Sequence, residues 1–199
     1  MARRNPAAGG GVAHSASQPE PTYSDDPARN DPEPDPDSVA RTICLRLLTV
    51  RARSRAELSD ELRKRNVPDD AAERVLDRLT EVGLVDDQAF AVDFVQAKHA
   101  ERGLAARELT RQLRLKGVGG DAIDAALADV GEEAERASAR RLAERKLKGM
   151  AGLDSQAQIR RIAGMLARKG YPSGLTFQVV REVVGEAAAE LMDDDPMPT

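Results

Sequence analysis

The fold is decided by residues 54–130, which read SRAELSDELRKRNVPDDAAERVLDRLTEVGLVDDQAFAVDFVQAKHAERGLAARELTRQLRLKGVGGDAIDAALADV. When this stretch is shifted along the chain by 51 residues, and then by a further 53, apolar and turn-forming residues fall on matching places. The three matching series are Leu58, Leu62, Asn66, Val67, Leu76 and Leu79; Leu109, Leu113, Gly117, Val118, Leu127 and Val130; and Ile162, Leu166, Gly170, Tyr171, Val180 and Val183. A nearly fixed period with the same apolar positions is typical of a repeat protein. The sequence therefore predicts three copies of one helical unit.

The middle helix of a unit begins at a recognisable cap. Ser54 and Glu57 have the S-x-x-E pattern of a capping box, in which each side chain bonds the backbone N–H of the other residue. Ser155 and Gln158 have the same spacing in the third unit. The apolar pair that follows in each unit is spaced i, i+4, which places it on one face of a helix.

The middle helix ends at Asn66, Gly117 and Gly170 in the three units, and these residue types best tolerate the left-handed conformation that closes a helix. A second helix follows this turn, and one more helix precedes the pair. The preceding helices are predicted at Ala40–Thr49, Phe90–Arg102 and about Ala134–Lys148. Each unit is therefore predicted to be a three-helix module.

The predicted fold is all-α, with three tandem three-helix modules in an elongated, curved arrangement between two tails. Residues 1–38 hold seven prolines and few aliphatic side chains, so they bury too little apolar surface to offset the entropy of ordering. We predict that this segment is disordered. The modules are assigned to residues 39–86, 87–131 and 132–185. Residues 186–199 carry five acids and no base, and are predicted to fray.

Composition indicates a cytoplasmic protein. The single cysteine, Cys44, lies in a predicted helix and is expected to be a buried structural thiol, which suits a reducing compartment. No apolar run approaches the roughly 18 residues that a membrane-spanning helix needs. The first residues also lack the apolar core of a signal peptide. We expect a cytoplasmic monomer without membrane contact.

The body of the chain is mildly basic. The sequence has 30 basic and 34 acidic residues, but the tails take 3 and 12 of these, which leaves residues 39–185 with a net charge of +5. Several cations recur at i, i+4, i+7, so they share helix faces. Such a face can attract nucleic-acid phosphate or an acidic protein surface, although a solvated face has the same spacing. The candidate partner-binding residues are Arg102, Arg107, Arg111, Arg114, Lys116, Arg140, Arg141, Arg145, Lys148, Arg161, Arg168 and Lys169.

The sequence offers no recognisable active site. Phosphate-loop, C-x-x-C and H-E-x-x-H patterns are absent, and the only histidines are His14 and His99. Carboxylates such as Asp69 and Asp86 lie at predicted helix starts, where capping explains them. We predict a protein without catalytic activity, cofactor or metal ion.

Two features bear on DNA binding. Residues 115–122, LKGVGGDA, look like the G-φ-G hairpin of helix-hairpin-helix motifs (φ is apolar), whose amides can hold a phosphate. A helix stop shared by all three units is the simpler explanation. Phe90, Phe94, Tyr171 and Phe177 are predicted to pack in cores, which leaves no platform for stacking unpaired bases. Any DNA contact should therefore be weak, electrostatic and independent of sequence.

Short motifs resemble those of the RecX family of regulatory proteins. Residues 83–91, GLVDDQAFA, are similar to the segment G-φ-φ-D-D-x-x-F-A that joins units in that family. Residues 113–118, LRLKGV, and 167–171, ARKGY, resemble its unit-ending L-x-x-K-G-I and R-R-G-F/Y segments. The resemblance covers about residues 39–185. It departs from the pattern after Arg102-Gly103, where a second glycine is often found and Leu104-Ala105 stands here.

The resemblance implies a non-enzymatic regulator of DNA repair, homologous recombination and the SOS response. Such a protein would bind the RecA recombinase and its filament on single-stranded DNA, and would inhibit the ATPase, strand-exchange and coprotease activities of RecA. Two alternatives stay open from the residues themselves. One is a DNA-binding protein that uses its basic helix faces without a RecA partner, and the other is a scaffold for a different acidic partner.

Overall fold

The computed structural model describes residues 35–150 and 152–193, with side chains described as far as residue 189. Within these residues all regular secondary structure is α-helical. The helices are α1 (Pro36–Leu48), α2 (Arg55–Arg63), α3 (Asp69–Glu81), α4 (Asp87–Arg102), α5 (Ala106–Leu115), α6 (Gly120–Leu127), α7 (Glu132–Lys148), α8 (Ser155–Arg168) and α9 (Ser173–Asp193). The all-α prediction is confirmed.

Each group of three consecutive helices forms a module with a core of its own. The helices α1–α3 enclose Leu62, α4–α6 enclose Leu113, and α7–α9 enclose Leu166. These three leucines occupy the matching repeat positions, and each is 0% exposed. Complete burial of one such side chain stabilises the fold by roughly 1.5–3 kcal/mol. The predicted repeat of three-helix modules is therefore confirmed at its central core position.

The predicted helix caps are confirmed in the first module and wrong in the third. Ser54 accepts a hydrogen bond from the backbone N–H of Glu57, whose carboxylate accepts one from the backbone N–H of Ser54. No equivalent box forms at Ser155 and Gln158. Asp154 is the N-cap of α8 and accepts from the backbone N–H three residues further on. A carboxylate also interacts favourably with the positive end of the helix, which an uncharged serine does not do.

The first helix begins before its predicted start. α1 starts at Pro36 instead of Ala40, so residues 36–38, which we assigned to the disordered tail, are helical. Asp35 caps the helix by accepting a hydrogen bond from the backbone N–H of Ser38. A proline in the first turn removes no hydrogen bond from the helix, because the N–H groups there have no partner within the helix. This D-P-D-S segment is therefore a helix start.

The last helix continues past its predicted end. α9 runs to Asp193, so the first eight residues of the predicted acidic tail are helical. Gly185 does not stop the helix, because the residues after it are mainly Ala, Glu, Leu and Met, which favour helix strongly. The remainder of that tail, residues 194–199, and residues 1–34 of the N-terminal tail lie outside the described residues.

The residues that end the middle helices also join neighbouring modules. Gly117, at the end of α5, has a φ of 73°, and a Cβ there would overlap the Cβ of Ala56 in α2. Gly170, at the end of α8, has a φ of 92°, and a Cβ there would lie 2.6 Å from the Cβ of Glu108 in α5. The equivalent Asn66 also has a positive φ, 57°. All three predicted left-handed turns are confirmed, and at two of them only glycine leaves room for the preceding module.

Hydrogen bonds repeat at the two junctions. The Oγ of Ser54 donates to the carbonyl oxygen of Lys116 at 2.6 Å. At the next junction the backbone N–H of Ala105 donates to the carbonyl oxygen of Lys169 at 3.0 Å. Ala105 lies 51 residues after Ser54, and Lys169 lies 53 residues after Lys116, so both partners are equivalent in the repeat. The two junctions between neighbouring modules therefore use equivalent contacts.

Substitution of Gly117 by Ala is expected to destabilise the protein more than the same change at Gly83. Both glycines have positive φ, 73° and 71°, so each alanine incurs a backbone cost of about 1–2 kcal/mol. Only the Cβ at position 117 also overlaps Ala56, whereas position 83 has no heavy atom within 4 Å. Urea unfolding followed by circular dichroism measures the difference. Equal losses would contradict the close packing at this junction.

Candidate partner-binding surfaces

The structure separates the twelve predicted partner-binding cations into groups. The cations on one wall of a groove are Arg107, Arg111 and Arg114. The cations that line a pocket are Arg102, Arg141, Arg145 and Lys169. The cations that are exposed and line neither are Lys148, Arg161 and Arg168. The remaining two, Lys116 and Arg140, form ion pairs.

The α5 groove is an open depression of about 1200 Å³ between α5 and the helices α8 and α9. Arg107, Arg111 and Arg114 lie along its α5 wall, as the i, i+4, i+7 spacing predicts. Small residues of α8 form part of the opposite side, including Ala163 and Gly164. The groove therefore lies where the second module meets the third.

The three arginines of the α5 groove are not equivalent. Arg111 donates to both carboxylate oxygens of Glu108, at 2.8 and 2.6 Å. This hydrogen-bonded guanidinium lowers the pKa of Glu108 to about 2, so the pair is charged on both sides at neutral pH. Within the described residues, Arg107 and Arg114 form no ion pair. The uncompensated positive charge of the wall therefore rests on Arg107 and Arg114.

Two exposed apolar side chains line the same groove. Phe177 of α9 is 67% exposed and Leu115 of α5 is 74% exposed. The prediction that Phe177 packs in a core is therefore wrong. The buried residues of α9 are Thr176, Val179, Val180, Val183 and Val184, which follow the i, i+3, i+4, i+7, i+8 pattern of a helix stripe. Phe177 lies one residue outside that stripe, and this offset was the signal that could have identified it.

A second cationic surface lies at the same junction. We define the cationic pocket by Arg102, Arg141, Arg145, Lys146 and Lys169, which line a depression of about 530 Å³. These side chains come from α4, from α7 and from the end of α8. Lys146 was missed from the sequence because it falls outside the i, i+4 series of α7.

Lys116 and Arg140, by contrast, have carboxylate partners. The ammonium of Lys116 lies 2.7 Å from Oε1 of Glu57 in the first module and is 26% exposed. It also lies 5.7 Å from the ring centre of Phe94. Arg140 contacts Glu144 and Glu186. These contacts give Lys116 a structural role between the first two modules and Arg140 one within the third. The surfaces available to a partner are therefore chiefly the α5 groove and the cationic pocket.

The first junction is expected to lose stability in acid through Glu57. Burial raises the pKa of this carboxyl, but hydrogen bonds from Arg51 and Lys116 outweigh burial and lower the pKa from 4.5 to about 2. Because the folded-state value is depressed, the stabilisation is present above about pH 4.5 and is lost as the pH falls towards 2. Glu57→Gln should therefore destabilise the protein at neutral pH, and the difference in urea unfolding should shrink towards zero near pH 2. A difference that stays constant with pH would contradict the ion pair.

Two amides of the hairpin suggested by residues 115–122 have partners in the backbone of α5. The backbone N–H of Gly117 donates to the carbonyl oxygen of Arg114, and that of Val118 donates to the carbonyl oxygen of Leu113. These two amides are therefore already used and do not face a phosphate. The close packing of Gly117 against Ala56 explains the first glycine of this segment without a phosphate.

The described part of the chain contains no group of three or more His, Cys, Asp or Glu side chains that could hold a metal ion. None of its helices combines the length and apolar character needed to cross a bilayer. Cys44 is completely buried, as predicted, and burial raises the pKa of its thiol.

Comparison with known families matches the three modules one by one. Models described as the first, second and third three-helix domains of RecX match residues 40–79, 86–127 and 133–180. The regulatory protein RecX of Streptomyces lividans is 49% identical over 165 residues, which cover 83% of this chain and 88% of that protein. The regulatory protein RecX of Thermobifida fusca is 46% identical over 159 residues, which cover 80% of this chain and 85% of that protein.

Solved structures share the fold at lower sequence identity. The crystal structure of RecX from Lactobacillus salivarius aligns with a TM-score of 0.67 at 19% identity, over 75% of this chain and 97% of that one. A second crystal structure, of a regulatory protein RecX, gives a TM-score of 0.64 at 23% identity. The alignment covers 76% of this chain and 72% of that one. The repeated modules, the three family matches and the close relatives lead to one conclusion. The chain belongs to the RecX family of regulatory proteins.

Proposed function

We propose that this protein binds RecA and the RecA filament on single-stranded DNA, and inhibits the ATPase, strand-exchange and coprotease activities of RecA. It acts by binding and not by catalysis, as a monomer in the cytoplasm. Membership of the RecX family supports the choice of partner. The observation that carries the choice of surface is the α5 groove, where Arg107 and Arg114 lie beside exposed Leu115 and Phe177.

A surface of this composition suits a protein partner. Aromatic and arginine side chains contribute more binding energy than other residue types when a partner covers them. The α5 groove supplies Phe177 and the arginines together, with Leu115 as further apolar area. Arg107 and Arg114 would be paired by carboxylates of the partner, because each lacks an ion pair within the described residues. The groove therefore fits an acidic protein surface that carries apolar side chains.

DNA contact is a second contribution in this proposal. The cationic pocket and the exposed cations Arg161 and Arg168 carry positive charge that can meet DNA phosphates. Phe177 offers one exposed ring on which a base can stack, whereas the sequence predicted no such ring. This exposed ring supports the alternative of a DNA-binding protein. That alternative has to be separated from RecA binding by experiment.

Binding to RecA in the absence of DNA separates the two functions. We expect immobilised RecA to retain this protein without any nucleic acid, and the retained amount should fall as salt rises, because charged contacts are screened. A labelled single-stranded oligonucleotide, tested without RecA, provides the matched measurement. Retention by the oligonucleotide with none by RecA would assign the protein to the DNA-binding alternative.

A further inference from the structure

The cationic pocket contains more positive charge than the surrounding protein compensates. Among the ion pairs of the described residues, none involves Arg102, Arg141, Arg145, Lys146 or Lys169. Glu101 is the one carboxylate among the lining residues, and it pairs with none of these cations. Like charges held together at this density repel one another. The pocket therefore maintains a local charge imbalance that a bound anion would relieve.

Lys169 shows the imbalance most directly. Partial burial lowers the pKa of its ammonium below the ordinary value, and the positive charges of Arg145 and Arg102 lower it further. The equivalent lysine of the other junction, Lys116, lies 2.7 Å from Glu57. The repeat therefore provides its own comparison. One junction lysine has a carboxylate partner, whereas among the described residues the ammonium of the other donates only to the carbonyl oxygen of Arg102.

The backbone around the pocket is held in place. Gly103, which ends α4, has a φ of 57°, and a Cβ there would lie 2.8 Å from Cδ1 of Leu142. The carbonyl oxygen of Gly103 accepts a hydrogen bond from the hydroxyl of Tyr171 at 3.0 Å. Nδ1 of His99 lies 2.9 Å from the carbonyl oxygen of Leu104. These contacts fix the turn that carries Arg102, so little further ordering of the backbone is needed when a ligand binds.

We propose that the cationic pocket binds a compact oligophosphate, such as the triphosphate group of a nucleotide. Guanidinium groups match phosphate oxygens with paired hydrogen bonds, and lysine ammonium groups add point charges. Five cations exceed what one phosphate requires, and they come from three helix segments to line one depression, whereas the arginines of the α5 groove lie along a single helix. The volume of about 530 Å³ lies in the range of small-molecule sites, roughly 300–1,000 Å³. This inference does not depend on the proposed binding of RecA.

The test measures binding of inorganic tripolyphosphate to the full-length protein by calorimetry, with sulfate at matched ionic strength as the reference anion. We expect tripolyphosphate to bind more tightly than sulfate. The variant Arg141→Ala with Arg145→Ala should weaken this binding about tenfold or more, because each change removes a charged hydrogen-bond donor. Both residues are exposed, and neither forms an ion pair with the part of the chain that the structure describes, so the helical signal should be unchanged.

A matched variant separates the pocket from general positive charge. Arg107→Ala with Arg114→Ala removes the same charge from the α5 groove and should leave tripolyphosphate binding within about twofold of the original value, since neither residue lines the cationic pocket and exposed charges are screened by salt. Equal weakening by the two variants, or no binding of tripolyphosphate beyond that of sulfate, would overturn the proposal. Binding of adenosine triphosphate and of a single-stranded oligonucleotide is measured in the same way. If only the oligonucleotide binds and depends on Arg141 and Arg145, the pocket serves a nucleic-acid backbone and the compact oligophosphate site is refuted.

Discussion

Replacement of Leu113 by Ala is expected to lower the free energy of unfolding by about 2–5 kcal/mol. Leu113 is 0% exposed and packs in the core of α4–α6 with Leu109 and Ile123. The substitution removes its buried contacts and leaves a cavity that neighbouring helices cannot fill completely. Urea unfolding followed by the helical circular dichroism signal measures the loss.

Leu115→Ala is the matched control for this change. Leu115 is the same residue type two positions later on α5, but it is 74% exposed. Its substitution should change the free energy of unfolding by no more than about 0.5 kcal/mol. Similar losses at the two positions would contradict the assignment of the core face. Because each module has a separate core, the Leu113 variant is also expected to unfold first in its own module.

Reversal of Arg107, Arg111 and Arg114 to Glu is expected to weaken RecA filament binding by about a hundredfold or more, and so to abolish inhibition. The three charges would then repel the acidic partner surface that we propose for the α5 groove. Arg111→Glu also loses the ion pair with Glu108, and a like-charged pair three residues apart costs only about 0.2–0.5 kcal/mol. The helical signal should therefore persist while binding is lost. Co-sedimentation with filaments and circular dichroism on the same preparations measure the two properties.

The matched set for this experiment is Arg141, Arg145 and Lys148 on α7, of which the first two line the cationic pocket. The same charge change at these residues should reduce filament binding less, because this set has no exposed aromatic neighbour in its pocket. Inhibition that survives both reversals would show that RecA is the partner but that neither surface meets it. A greater loss from the α7 set would move the main contact to the cationic pocket.

Much of the fold was predictable from the sequence because it is repeated. One capping box, one apolar series and three left-handed turns were sufficient to define the modules, and Leu62, Leu113 and Leu166 are buried as predicted. The errors lie at helix ends. The prolines near Asp35 led to the prediction that residues 36–38 belong to a disordered tail, although a proline is compatible with the first turn of a helix. The cap of α8 was placed one residue too late, because Asp154 and Ser155 are both residue types that cap helices.

The surfaces were only partly predictable. Spacing placed Arg107, Arg111 and Arg114 on one face, since helical periodicity is a local property. Ion pairs depend on packing between elements, and so the pairing of Lys116 with Glu57, 59 residues earlier, had no local signal. The cationic pocket was not predicted for the same reason, because it depends on a contact between Arg102 and Lys169, which are 67 residues apart. Phe177 was missed because its residue type suggested a core and its position in the stripe of α9 was not considered.

The rate of ATP hydrolysis by RecA on single-stranded DNA, measured against increasing amounts of this protein, tests the proposed function most directly. We predict that the rate falls as the protein is added, and that the protein co-sediments with the filaments over the same concentration range. The triple reversal of Arg107, Arg111 and Arg114 should leave the rate unchanged at concentrations where the original protein inhibits. An unchanged rate at saturating amounts of the original protein, with no co-sedimentation, would contradict the assignment of RecA as the partner.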